Sequence, residues 1–468
     1  MESIPQNKMG SHHVPSLLIK MSLPMMLSMF VMALYNIVDS VFVSMLSERA
    51  LTSVTLAFPF QMLLVGVSVG TAVGSCSLIS RRLGQGLQHE ADSAASNGMF
   101  LAVLSGIVFG ILGLTLSRPA IAMFTDDIPM LNDSVTYLTI CSSLSIFSMI
   151  QIMCEKTLQG TGNMMHPMII QLVGAVINIV LDPIMIFGLL GFPAMGVAGA
   201  AVATVAGQAV GMVLGIILLK RSKHISVKLF KVHRVDGRKR ISLFKPNSTT
   251  IRETYKVGLP AIVMQTVGSV TNLGLNAILI SFSETAVTVL GLYFKLQSFV
   301  FMPVFGLNSG SMPIMAYNYG AKNRPRLMQA LKYGCIYAII VMLIGVALFQ
   351  LIPSQLLSLF NAQDSLMEMG IRAFRTISLC FPFAALSIMF GTMFQALGKG
   401  IYSLIVTIAR QLIVILPMAY ILAKATNDVN AVWYAYPIAE VVSLGLSTAL
   451  LFNIYNKHIK HFGDELVK

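Results

Sequence analysis

Residues 171–187 read QLVGAVINIVLDPIMIF, an apolar run interrupted by one acid, Asp182. An isolated acid near the middle of a membrane helix costs about 2.5–3.5 kcal/mol on insertion scales. It therefore needs a polar partner, a water-filled cavity or a function. Polar partners stand in the same segment. Gln171, Gly174, Asn178 and Asp182 follow at spacings of three, four and four, so they share one helical face. Pro183 frees a backbone carbonyl one turn earlier, and the remaining positions are almost all aliphatic. The pattern is a lipid-embedded helix with a polar stripe turned inward. A helix–helix hydrogen bond would account for Asn178 alone; the carboxylate four residues on points to function.

The rest of the chain fits that reading. Hydrophobic residues are 56% of its 468 residues, charged residues 11%, and the mean hydropathy is +0.78. Such a composition excludes a soluble globular domain. Runs long enough to cross a bilayer, about 20 residues each, recur twelve times, at 15–44, 50–81, 92–118, 130–159, 164–190, 194–220, 253–281, 286–318, 327–353, 366–396, 400–424 and 430–457. The fold class is all-α integral membrane, with twelve transmembrane helices. Breaks carry turn chemistry, as at Gly84-Gln85-Gly86, Gly160-Thr161-Gly162-Asn163 and Gly398-Lys399-Gly400. Residues 1–15 are polar and the first apolar run continues as a full span, which reads as no cleavable signal peptide. The cysteines (Cys76, Cys141, Cys154, Cys335 and Cys380) show no paired spacing and read as small packing residues. The histidines sit mostly at loops and ends without metal-ligand context, so no metal cofactor is implied.

Basic residues sort by side. Arg81, Arg82, Lys322, Arg324, Arg326 and Lys399 lie in even-numbered loops, and eleven Lys and Arg from Lys220 to Arg252 follow span six against one acid, Asp236. The opposite loops hold Arg49, Arg118 and Lys424. The positive-inside rule then places both termini in the cytoplasm of a multi-pass protein of the cell's inner (plasma) membrane. The basic loop reads as an orientation signal attracted to the anionic lipid of the bilayer. No aromatic platform or reading motif accompanies it, so nucleic acid is not a partner.

The chain repeats itself. A shift of 236 positions, Lys20 onto Lys256, aligns it without a gap through Gly84 and Gly320. Identities include Pro24/Pro260, Asn36/Asn272, Ser47/Ser283, Glu48/Glu284, Gln61/Gln297, Gly70/Gly306 and Gly74/Gly310. The same shift pairs Gln159 with Gln395 and Gly162 with Gly398. The expected organisation is an N-terminal six-helix lobe (1–222), a basic cytoplasmic linker (223–250) and a C-terminal six-helix lobe (251–468). Six is even, so both lobes insert the same way and their pseudo-twofold axis runs along the membrane normal, as in transporters that open alternately to each side.

Several segments together resemble the multidrug and toxic compound extrusion (MATE) family: Leu23-Pro24, YNIVDSVFV around Asp39, LQGTGNMMHPM at 158–168, INIVLDPIMIFG at 177–188, GVAGAAVAT at 196–204, KVGLP at 256–260 and FQALGKG at 394–400. The resemblance implies two six-helix lobes that export organic cations and other amphiphiles against H⁺ or Na⁺. It is closest to the DinF-like branch, whose coupling acids sit in the N-lobe. The turn Ser44-Met45-Leu46-Ser47 departs from relatives that carry a glycine there.

Three acids fall inside N-lobe spans: Asp39, Glu155 and Asp182. Under the 236 shift they become Leu275, Gly391 and Met418. Acids needed only to hold a fold should recur in both lobes, whereas these do not. The candidate coupling residues are Asp39, Asp182, Asn178, Thr204 and Glu155, with Na⁺ an option at Asp39, Asn178, Asp182 and Thr204. The candidate cavity residues are Asn36, Tyr35, Gln171, Gln208, Gln61 and Gln297. Glu155, nearer the cytoplasmic end of its span, has solvation as its plainer explanation. In the C-lobe, Glu440 paired with Lys295 or Arg410 would neutralise both charges and hold the lobe together.

The leading function is a secondary active multidrug exporter and not an enzyme: the sequence has no catalytic cluster, no HExxH and no nucleotide-binding GxxxxGK[ST] loop. It needs no cofactor beyond H⁺ or Na⁺ as coupling ion, takes small amphiphilic or cationic substrates and works as a monomer. A flippase or exporter of a lipid-linked or other endogenous metabolite is the alternative transporter. A non-transporting receptor or scaffold would explain the spans but leave the one-lobe acids without purpose.

Overall fold

The computed structural model describes residues 7–228, 230–235, 238–360 and 364–462. The two ends of the chain, expected in the cytoplasm, and the linker acid Asp236 lie outside the described residues.

Ten helices are each long and apolar enough to cross a membrane, and two bent pairs bring the number to twelve among the described residues. Spans one to six are Val14–Leu46, Glu48–Gly84, Gln88–Ile121, Ile128–Ser143 with Ile146–Gly160, Met165–Phe187 and Val197–Arg221. Spans seven to twelve are Ser248–Ile280, Glu284–Gly320, Arg324–Leu351, Ser365–Ser378 with Phe381–Ala396, Gly400–Thr426 and Val429–Ile459. Between the halves, the basic segment that reads as a plain loop contains a short hairpin. Strands Phe230–Val235 and Arg238–Leu243 pair antiparallel, with Phe230 opposite Leu243.

Local chemistry sets the ends. Ser47 Oγ accepts the backbone N–H of Ala50 at 3.0 Å, so a serine cap closes the turn that lacks glycine. Gly188 ends span five at φ 72°, and a Cβ there would lie 2.6 Å from the nitrogen of Ala194. Spans four and ten each bend by 47°, at Leu144-Ser145 and Leu379-Cys380. Those breaks correspond to within one residue under the 236 shift, so the repeat extends to irregular geometry.

The chain divides into two compact units, Phe30–Ile262, and Met1–Met29 together with Val263–Lys468. Spans one and seven therefore each contribute to both units. Within the first unit, Gly70 and Gly74 of span two pack against Gly258 and Thr254 of span seven; a Cβ on Gly70 would come within 2.9 Å of the Gly258 carbonyl oxygen. Within the second unit, Gly306 and Gly310 of span eight pack against Met26 and Ser22 of span one; a Cβ on Gly306 would lie 2.6 Å from Met26 Cα. Small residues one turn apart let helices meet backbone to backbone.

The first unit has two apolar clusters. One gathers Leu78, Ile79, Met149, Met153, Leu158 and Ile170. The other gathers Val43, Ala57, Tyr137, Leu138, Cys141 and Ile186. Each cluster borders one polar site.

Candidate functional site

Asn178 and Asp182 stand one turn apart on span five and are 3% and 0% exposed. Span six comes close enough to reach them because Gly207 packs on Gly174: a Cβ on Gly207 would lie 2.6 Å from the Gly174 carbonyl oxygen. Asn178 Nδ2 donates to Asp182 Oδ1 at 3.4 Å and to Thr204 Oγ1 at 3.3 Å. Asp39, half-buried on span one, brings its carboxyl within side-chain hydrogen-bonding reach of Asp182. Four residues read from the sequence as one coupling site thus converge within one unit.

The arrangement is chemically incomplete in an informative way. Asp39 Oδ1, Asp182 Oδ2 and Asn178 Oδ1 are buried without a hydrogen-bond partner. An ionised carboxylate has acceptors and no donor, and two of them together in a low dielectric repel strongly. A shared proton satisfies such a pair. So does a small cation, for which carboxylate, amide and hydroxyl oxygens are the appropriate ligands.

Three tyrosine and amide side chains and a thiol surround the pair. Tyr35 interacts electrostatically with both Asp39 and Asp182. Gln61 hydrogen-bonds the side chains of Tyr137 and Cys141, which also interact with Asp39. The sequence gives Tyr137 no site role and marks Cys141 as a packing residue, whereas both border the aspartate pair. The signal was available: the shift turns them into Ala373 and Ile377, the same one-lobe asymmetry that marks the acids.

Glu155 belongs to a different cluster. It is 2% exposed, so it is buried and not solvated. Gln151 Nε2 donates to its Oε1 at 3.0 Å, and Gln171 Nε2 donates to its Oε2 at 2.7 Å. Lys156 Nζ donates to the buried Gln159 Oε1 at 2.9 Å. Gln171 and Asp182 are eleven residues apart on one helix, about 16 Å at 1.5 Å per residue. Gln171 therefore serves Glu155 and stands apart from the aspartate pair.

The remaining candidates scatter. Asn36 is exposed and donates to Met32 O of its own helix at 2.8 Å. Gln208 is half-buried one turn beyond Thr204. Gln297 falls in the second unit. There Glu440 takes Arg410 as its partner, Nη1 to Oε1 at 2.8 Å, while Lys295 is exposed.

Comparison with known proteins bears on the family and the fold. A family model described as MatE matches residues 24–184 and again 260–421. The two matches begin at Pro24 and Pro260, the shift already found in the sequence. The chain is 23% identical to the FAD transporter of Shewanella oneidensis over 429 residues, covering 91% of each chain. It is 24% identical to the multidrug export protein MepA of Staphylococcus haemolyticus over 437 residues, covering 93% of each. Among solved structures, an outward-facing multidrug resistance MATE transporter of the MOP superfamily superposes with TM-score 0.87 at 26% identity, over 97% of this chain and 98% of the other. A MATE in complex with MaD3S superposes with TM-score 0.88 at 25% identity, over 97% and 100%. The all-helical architecture of two six-helix lobes is the one these structures share.

Proposed function

This chain belongs to the MatE family, and from that premise we propose that it is a secondary active multidrug exporter in which ion entry at Asp39 and Asp182 drives efflux. The observation that carries the reading is the contact between those two carboxyls, with three buried oxygens unsatisfied around them. Binding H⁺ or Na⁺ there removes repulsion that is otherwise locked into an apolar lobe. Substrate and ion then stabilise different arrangements of the same helices, which is the thermodynamic basis of coupling. Each proton entering down a 100 mV potential supplies about 2.3 kcal/mol.

In this reading Asn178 holds Asp182 and Thr204 in register, and Tyr35, Gln61, Tyr137 and Cys141 form the polar wall behind the pair. The placement of the coupling acids supports membership of the DinF-like branch. The basic linker supports a plasma-membrane protein with both termini in the cytoplasm, and the multidrug export relatives support small compounds as its substrates. The Shewanella relative's description as an FAD transporter favours a second reading, export of an endogenous metabolite by the same machinery.

The test is transport in proteoliposomes with pH and Na⁺ gradients imposed separately. A fluorescent cation should move against its own gradient under one of the two. Movement of FAD alone would favour the metabolite reading, and movement of neither under either gradient would end the antiporter proposal.

A further inference from the structure

The aspartate site leaves the ion pair of the second unit without a role. Arg410 lies near the middle of span eleven and keeps 22% of its side chain uncovered. A guanidinium in the middle of a span turns from hydrocarbon to the bundle interior or a water-filled cavity. The one hydrogen bond it makes among the described residues is to Glu440 Oε1, which leaves most of its five donors available. Glu440 is 7% exposed, and its second oxygen, Oε2, is buried without a partner. One turn earlier on the same face of span twelve, the hydroxyl of Tyr436 is also buried without a partner. The two sides of this small site therefore offer free donors and free acceptors at once.

Backbone geometry points the same way. Arg410 sits in a π-helical stretch, Ala409–Ile415, a conformation that inserts an extra residue and is frequent at functional sites. Thr271 Oγ1 donates to Gln411 Oε1 at 3.3 Å, tying that stretch to span seven. The charges are also peculiar to this lobe. Under the 236 shift, allowing two residues of slip, Arg410 falls among 172–176 and Glu440 among 202–206, all uncharged. Shared scaffold does not require the pair, and buried ion pairs can commonly be replaced by apolar groups without loss of stability.

We propose that Arg410 and Glu440 form a substrate subsite for zwitterions, the anionic group of the substrate on the guanidinium and its cationic group toward Glu440 Oε2. This rests on the transporter reading and deepens it. An anion alone would add net negative charge beside Glu440, and a cation alone would compete with Arg410. A zwitterion leaves the local charge unchanged while supplying the missing partners.

The experiment uses two fluorescent probes, a diamino-rhodamine with a free carboxylate beside its cationic ring system and the methyl ester of the same dye, a plain cation. Binding of each to the full-length protein in detergent is followed by polarisation, for wild type and for the Arg410→Met/Glu440→Met double variant. The double variant should bind the free acid about tenfold or more weaker and the ester nearly as wild type does. A ratio of affinities equal in both proteins, or no binding of the free acid by wild type, overturns the proposal. If the double variant does not fold, Arg410→Lys keeps the charge but loses the planar fork; it should weaken the free acid selectively, and an unchanged ratio again overturns the idea. Gradient-driven movement of the ester by wild type is scored separately, so failure of the transporter reading is distinguishable from failure of the subsite.

Discussion

Gly74 and Gly310 occupy the same place in the two repeats, each lacking a side chain where the opening span of a repeat crosses it. A Cβ on Gly310 would lie 2.8 Å from Ser22 Cα, and one on Gly74 would collide with the Thr254 carbonyl oxygen. Backbone cannot yield as a flexible side chain can. Alanine at either position should destabilise the protein by about 1–3 kcal/mol, and the two effects should add because the glycines share no neighbour among the atoms they meet. Melting in detergent measures this; unchanged midpoints would mean that the helices separate without penalty.

The aspartate pair gives the sharpest functional prediction. Asp39→Asn and Asp182→Asn should each reduce gradient-driven export by a factor on the order of ten or more, while exchange of substrate without a gradient persists and melting changes little. Asparagine keeps the shape and removes the ionisable group. Export at wild-type rates by both variants under a pH or Na⁺ gradient would remove these residues from coupling.

Glu155 should behave as a structural acceptor in the first instance. Glu155→Ala removes the acceptor shared by the half-buried amides of Gln151 and Gln171, each lost hydrogen bond costing about 0.5–1.5 kcal/mol. Glu155→Gln retains an oxygen for one of them and should be milder. The comparison is a pair of denaturation curves, and equal losses for the two variants would contradict the hydrogen-bond assignment.

For Arg410 and Glu440 the order of stabilities is informative. Arg410→Met alone leaves a buried carboxylate unpaired and should cost about 3–5 kcal/mol, whereas the double methionine variant should be near neutral. A double variant as unstable as the single one would mean that the pair itself holds the lobe.

Orientation can be checked in cells. Ser242→Cys in an otherwise cysteine-free variant should resist an impermeant thiol reagent added outside and react after permeabilisation. Labelling of intact cells would reverse the assigned topology.

Much of this molecule was legible in the sequence because bilayer physics is strict. Hydropathy marked the spans, and the shift that aligns Pro24 with Pro260 marked the repeat. Asp39, Asn178, Asp182 and Thr204 were readable because polar atoms in apolar helices need partners. What stayed hidden depends on distances across helices. Glu155 was on the correct span but meets Gln171 three turns away from Asp182. The bends at Leu144 and Leu379 have no proline at the break to announce them, although Pro382 follows the second closely. Tyr137 and Cys141 look like ordinary core residues until Gln61 is placed between them. Lys295 and Arg410 were equal candidates for Glu440 by composition, and only helix packing separates them.

The crossed opening spans carry an evolutionary implication. Residues that complete the glycine groove of span two come from the second repeat, and those that complete the groove of span eight come from the first. An ancestral gene encoding a single repeat would have made a chain with an unfilled groove and a protruding helix. Two such chains satisfy each other by exchanging that helix, as a domain-swapped homodimer. Duplication and fusion then make the exchange intramolecular, free one copy from the need to match the other, and let acids accumulate in one half while an ion pair arises in its twin.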